Sequence, residues 1–217
     1  MTAITPALAS MLSTCTTCRP WAEQDEGPYH RDEQPLRRDL VEDRIGTGLD
    51  LGVRLIRQGG TAVEGATVEI WQCDALGRYS GFPPPDDTVV VTAGTAPATE
   101  YLPKQSFLRG RQHTDPAGMV EFTTIYPGWY PGRTVHIHLM VHVDDVTLTT
   151  QLYFPDEIND AVLASAPYAE RPRSDTTNDT DGIFSTGGEP AVVDVAADGS
   201  DGYLAAIGLV LPPQATA

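Results

Sequence analysis

Short stretches of alternating apolar and polar residues run through this chain. Leu49, Leu51, Val53 and Leu55 occupy every second position before Gln58-Gly-Gly, the pattern of a half-buried strand closed by a turn. Thr67–Cys73 predicts a second strand, Gly118–Ile125 a third, and residues 146–154 and 203–211 two more. The stretch 134–143 is the most regular. Val135, Ile137, Leu139, Val141 and Val143 share one face, and His136, His138, Met140 and His142 share the other. Asp144-Asp145 then supplies a two-residue turn, which sets Val143 opposite Val146, His138 opposite Gln151 and His136 opposite Tyr153. A short helix is predicted from Asp156 to about Ala164, with Asp156 as its cap. Residues 1 to about 20 lack clear periodicity and predict a loose arm. Residues 82–106 are irregular apart from Val89–Thr92, and loops of that length are usually functional or mobile.

Composition narrows the partners more than the fold. The 217 residues are enough for one domain with a proper core, and 20 Gly and 18 Pro dispersed along the chain suit many strands joined by turns. Thirty acidic against 14 basic side chains leave a net charge of −16, which disfavours nucleic acid and anionic membranes as partners. The same acidity argues mildly against a highly anionic substrate. No apolar run approaches the roughly 20 residues that span a bilayer. The N-terminus shows no basic segment followed by an apolar core, so a cytoplasmic location is expected unless a leader has been removed. Cys15 and Cys18 have CxxC spacing, but Cys73 is the only further cysteine. Three cannot complete a four-cysteine zinc site or a disulfide framework, although a bridge from Cys15 or Cys18 to Cys73 stays open.

The chemistry concentrates in Tyr126-Pro-Gly-Trp-Tyr130-Pro-Gly-Arg133-Thr-Val-His136-Ile-His138. Residues two apart on a strand point the same way, so His136 and His138 can converge on one point. Tyr130, delivered from the preceding Pro-Gly turn, can join them. Phenol oxygen with imidazole nitrogen suits a hard, highly charged transition metal better than zinc. Gln151 would sit beside the same point. His142 lies about 13 Å further along the strand, so a packing or surface role fits it better. On spacing alone, paired histidines on a polar strand face are more often solvated or hydrogen-bonded than metal-ligating. The pattern therefore reaches a β-rich domain with a candidate metal site.

Longer motifs go further. Glu26-Gly-Pro-Tyr29, Arg38–Arg44, Ile70–Gly81 containing Arg78-Tyr79, Phe107–Gln112, Thr114–Gly118, Tyr126–His138, Thr150–Phe154 and Asp175–Phe184 occur in an order and spacing that resembles the intradiol ring-cleavage dioxygenases. The resemblance runs from about residue 23 to about 185, and is nearest to short members related to the protocatechuate dioxygenase catalytic core. It implies an all-β fold: a single β-sandwich of mainly antiparallel strands over residues 23–217, with long irregular loops, at most short helices, and an arm at 1–22. It also implies a non-haem Fe(III) held by Tyr79, Tyr130, His136 and His138. Arg133 would stabilise developing negative charge, and Gln151 would orient Arg133 or the bound oxygen species. Tyr126, Tyr153 and His113 match no assigned role and are expected to pack or to form pocket wall. His30 stands where many relatives carry a second aromatic residue.

The activity implied by that resemblance is ring opening of a catechol-type substrate by O2 between its two hydroxyl-bearing carbons, giving a cis,cis-muconate-type product. A homo-oligomer is compatible with it. Two readings from other classes compete. One is a β-sandwich carrier of small phenols without turnover, which the four intact ligand positions argue against. The other is a zinc hydrolase, which lacks a carboxylate beside the His-x-His pair.

Overall fold

A computed structural model describes residues 4–13, 18–32, 34–83 and 105–213. The apolar stretch Val89–Thr92, most of the 82–106 loop and Cys15 lie outside these residues. Among the described residues, nine strands form two sheets. In the first, β1 (Arg19–Pro20), β9 (Tyr203–Val210), β2 (Gly48–Ile56) and β5 (Met119–Ile125) lie in that order, with β8 (Asp194–Ala197) also paired to β9. The second has the order β4 (Arg109–His113), β3 (Thr67–Trp71), β6 (His136–Val143), β7 (Val146–Tyr153). The chain is thus a β-sandwich, as the motifs implied.

Alternation explains the core. Leu49, Leu51, Val53 and Leu55 of β2 point inward beside Val120 and Phe122 of β5 and Ala205, Ile207 and Leu209 of β9. Val68, Ile70, Ile137, Leu139, Val141 and Leu152 meet them from the second sheet. Each such side chain stabilises the fold by about 1.5–3 kcal/mol relative to exposure. The pairing of β9 with β2 and with β1 is parallel. Apolar alternation does not reveal that direction, because either one buries the same face.

The β6–β7 hairpin has the register read from its turn: Val143 faces Val146, His138 faces Gln151, and His136 faces Tyr153. Asp144 and Asp145 both take positive φ, 50° and 61°, the left-handed pair that a tight two-residue hairpin needs and that aspartate tolerates.

Three expectations change. Residues 6–13 of the predicted arm form a helix, α1 (Pro6–Ser13), whose Leu8 and Leu12 bury themselves against Met119 and Ala206 on the outer face of the first sheet. An eight-residue helix is marginal alone, and this i, i+4 apolar pair holds it in place. Helix α2 (Asp156–Leu163) begins one residue earlier than expected, with Pro155 at the cap position and no side-chain cap. Asp156 instead accepts from Asn159 Nδ2 and the backbone N–H of Asn178. Cys73 is a buried free thiol, so it bridges neither Cys15 nor Cys18.

Candidate metal centre

The outer face of the second sheet carries the site. Strand register sets Arg109, Trp71, His138 and Gln151 in one row across β4, β3, β6 and β7. His136 and Tyr153 form the next row. Although this face points away from the sandwich core, it is buried too, because the segment around Tyr29 and two loops fold over it. The first loop turns at Asp74, whose Oδ1 accepts the N–H groups of Leu76 and Arg78 and so presents Tyr79. The second, 126–132, presents Tyr130. They touch at Gly128, where a Cβ would stand 2.6 Å from the carbonyl oxygens of Asp74 and Ala75. Only glycine allows that approach.

Tyr79, Tyr130, His136 and His138 therefore converge, from positions up to 59 residues apart. Tyr130 Oη lies 3.0 Å from His136 Nε2, and Tyr79 Oη lies 3.5 Å from the same nitrogen and 3.1 Å from His138 Nε2. The two Nε2 atoms are 3.2 Å apart. Ligands about 2 Å from one first-row metal, at angles between 90° and tetrahedral, stand roughly 2.9–3.4 Å from one another. His136 Nδ1 is 2.7 Å from the Thr134 carbonyl, which fixes the N–H there and leaves the Nε2 lone pair facing the cluster. His138 Nδ1 has no hydrogen-bond partner. Its ring is held instead by parallel stacking on Trp71, 4.9 Å between centroids, and by Gly27, where a Cβ would meet Cε1 at 3.1 Å.

A family model described as "Dioxygenase" matches residues 25–181. The chain is 32% identical over 157 residues to a protocatechuate 3,4-dioxygenase beta chain from Burkholderia cepacia, a match covering 64% of this chain and 62% of that protein. An intradiol ring-cleavage dioxygenase structure from Tetranychus urticae superposes with a TM-score of 0.80 at 32% identity, covering 92% of this chain and 98% of that one. The chain belongs to the intradiol ring-cleavage dioxygenase family. The dioxygenase domain of a carbohydrate-binding fusion from Streptomyces sp. SirexAA-E is also similar, with a TM-score of 0.61 and 26% identity over 90% of this chain and 99% of that domain. The chain spans less than two thirds of the length of the curated relatives it matches. Members of this family generally depend on non-haem iron(III).

In this family member the four convergent side chains are almost wholly buried, and burial dominates their protonation. It pushes the Tyr79 and Tyr130 hydroxyls well above the ordinary phenol range, and it pushes both imidazoles down, His136 to about 3. The histidines are therefore neutral and able to ligate. The phenols keep their protons unless a strong cation takes the oxygen. Among the described residues no cluster of three or more His, Cys, Asp or Glu could hold a metal, so a metal site here requires the tyrosines. Two phenols and two imidazoles at these separations fit a hard ferric ion.

Arg133 and Gln151 lie beside the four. Arg133 Nη1 is 3.4 Å from both Tyr130 Oη and His136 Nε2, and Nη2 donates to Gln151 Oε1. Gln151 is fixed in turn by Nε2 donating to the Asp25 carbonyl at 2.7 Å. Three neighbours have no role in the site assigned from the sequence, although Tyr29 and Asp181 lie within the family motifs. Asp181, in an irregular segment, pairs with Arg133 at 2.9 Å. Burial alone would raise its carboxyl, but the Arg133 guanidinium and the N–H groups of Phe184 and Thr134 hold it below the usual carboxylate range. Gln24 Oε1 takes the Tyr153 hydroxyl at 3.1 Å, and Tyr29 stacks on Tyr79 at 4.2 Å. His30 packs against the Trp71 indole, with ring centroids 4.7 Å apart.

Tyr126 and Tyr153 pack as expected. Tyr126 donates to Asn159 Oδ1 against the main core, and Tyr153 bridges Gln24 and Gln151. His113 ends β4 at the surface instead, exposed, with Nδ1 3.1 Å from Thr67 Oγ1. His142 is apart from the cluster, with Nδ1 3.0 Å from Thr147 Oγ1 and Nε2 3.4 Å from a Glu69 oxygen.

Proposed function

We propose that this chain opens the ring of a catechol-type aromatic between its two hydroxyl-bearing carbons, incorporating both atoms of O2 into a cis,cis-muconate-type product. The observation that carries this reading is the set of four contacts of 3.0–3.5 Å that link Tyr130 Oη to His136 Nε2, and His136 Nε2, His138 Nε2 and Tyr79 Oη to one another. These residues would hold non-haem Fe(III), which supplies a Lewis acid that binds the substrate oxygens and makes the ring electron-rich enough to react with O2.

The remaining roles fall to the chain itself. Tyr130 Oη, as a phenolate, would take a proton from a substrate hydroxyl, since phenol and catechol have comparable acidity. Arg133 Nη1, 3.4 Å from Tyr130 Oη, is placed to stabilise negative charge that develops on the opening ring, and exclusion of water strengthens that effect. Gln151 Oε1 accepts from Arg133 Nη2 and keeps the guanidinium plane turned toward the site. Tyr29 and Phe82, 5.3 Å apart edge to face, offer an aromatic wall suited to a planar ring.

Iron-loaded protein incubated with catechol and labelled dioxygen tests this. Both label atoms in a muconate product are expected. Unchanged catechol bound in stoichiometric amount would instead make the chain a carrier.

A further inference from the structure

We propose that Asp181 is a positioning residue for ring opening, holding the Arg133 guanidinium by Nε so that Nη1 faces Tyr130 Oη and His136 Nε2. This rests on the proposed function. A guanidinium is planar, with its N–H groups in a fixed fork. Fixing one N–H leaves the plane free to swing, whereas fixing two determines where the remaining ones point. Gln151 Oε1 takes Nη2 and Asp181 Oδ2 takes Nε at 2.9 Å. The direction of Nη1 is thereby set, and it lies 3.4 Å from each of the two donor atoms.

Asp181 is itself immobile. Its Oδ2 also accepts the Thr134 N–H at 2.8 Å, and Oδ1 accepts those of Ile183 and Phe184 at 2.7 and 3.0 Å. The carboxylate is thus bonded to backbone on both sides of the contact it makes with Arg133. Charge reinforces the geometry. The side chains are 3% and 0% exposed, and a guanidinium buried that deeply requires a counter-charge. Asp181 is the carboxylate that supplies it at hydrogen-bonding distance. It also offsets the positive charge that Arg133 brings beside a cationic centre.

A structural role is the rival, because the same carboxylate ties the Thr134 segment to the turn at residues 181–184. A double-mutant cycle separates the two. Asp181→Asn, Arg133→Met and their combination are compared by melting of the metal-free protein, and by the visible band and catechol turnover of the iron-loaded protein. Asp181→Asn should lower kcat about 10–100-fold, with iron content retained and KM within about threefold. It should shift the visible band in the same direction as Arg133→Met does, and cost less than about twofold further in the Arg133→Met background. In the metal-free protein Asp181→Asn should lower the melting temperature by roughly 6–15 °C, and the double variant should recover at least half of that loss.

An equal loss of kcat in both backgrounds with an unmoved band overturns the proposal, as does a double variant whose melting loss is the sum of the singles. If Asp181→Asn alone does not fold, the double variant decides: a folded double supports the pairing, and an unfolded one assigns Asp181 to the backbone. A wild-type protein that turns over no catechol sinks the reaction assignment instead. That failure is recognisable because the metal-free melting cycle remains non-additive.

Discussion

The two faces of the second sheet are built from the same strands, and around the site both are buried, yet they obey different rules. Inward lie Val68, Ile70, Ile137, Leu139, Val141 and Leu152, with Thr150 a polar exception on β7. Outward, on alternate residues of the same strands, lie Glu69, Trp71, His136, His138, Gln151 and Tyr153. On the inner face the physics is volume: one methylene more or less is felt through packing. On the outer face each polar group must find a partner, since a buried unpaired one costs about 1–3 kcal/mol. The donor atoms of His136, His138, Tyr79 and Tyr130 are left mainly with one another, and that is the state a metal resolves. Stability is concentrated on the first face and chemistry on the second.

Substitutions sharpen this contrast, and the largest effect belongs to the outer face. His138→Ala should weaken iron binding and abolish turnover while far-UV circular dichroism stays that of the wild type. Iron held as tightly as in the wild type would remove His138 from the ligand set. Tyr130→Phe should slow turnover by roughly 10²–10⁴-fold through the lost proton acceptor, with iron still held, less tightly, by three ligands. Normal turnover would contradict its role.

Arg133→Ala comes next, with a rate loss of about 10²–10³-fold and the visible band of the iron protein shifted but not lost. Loss of iron would reassign Arg133 to structure. On the inner face, Ile137→Ala should cost about 2–5 kcal/mol of stability, lowering the melting temperature by roughly 5–15 °C, with iron content and kcat close to wild type. A large kcat effect there would mean that the two faces are not separable.

The last effect is in pH. His136 ionises at about 3 in the folded metal-free protein, against ~6.5 in an unfolded chain. Below ~6.5 the unfolded state therefore binds more protons, so stability falls as pH falls toward 3. The Asp181 carboxyl, held low, contributes in the same direction. Melting temperatures of the metal-free protein should decline across that window, less steeply in His136→Leu; equal slopes would contradict a buried neutral imidazole.

How much of this was legible depended on regularity. The β6–β7 register could be read because strict alternation meets a two-residue turn, and that register alone places Gln151 beside His138. Tyr79 could not be reached that way. It lies 57 residues before His136, and only the Gly-Arg-Tyr motif, through its family resemblance, joined it to the site. Asp181 and Gln24 sit in irregular segments where neither period 2 nor period 3.6 marks a facing direction, so their contacts with Arg133 and Tyr153 had no sequence signature. Strand β4 was missed because its sequence, Arg-Gly-Arg-Gln-His, is polar; its arginines lie on the outer, functional face. In α1 the signal was present in Leu8 and Leu12 but too short to stand out.

The visible absorption spectrum of the purified, iron-loaded protein, taken before and after anaerobic addition of catechol, tests the central claim most directly. Ligation by Tyr79 and Tyr130 predicts a broad visible band at one iron per chain, moving to longer wavelength as catechol binds. A colourless protein that takes up no iron after reconstitution would contradict it.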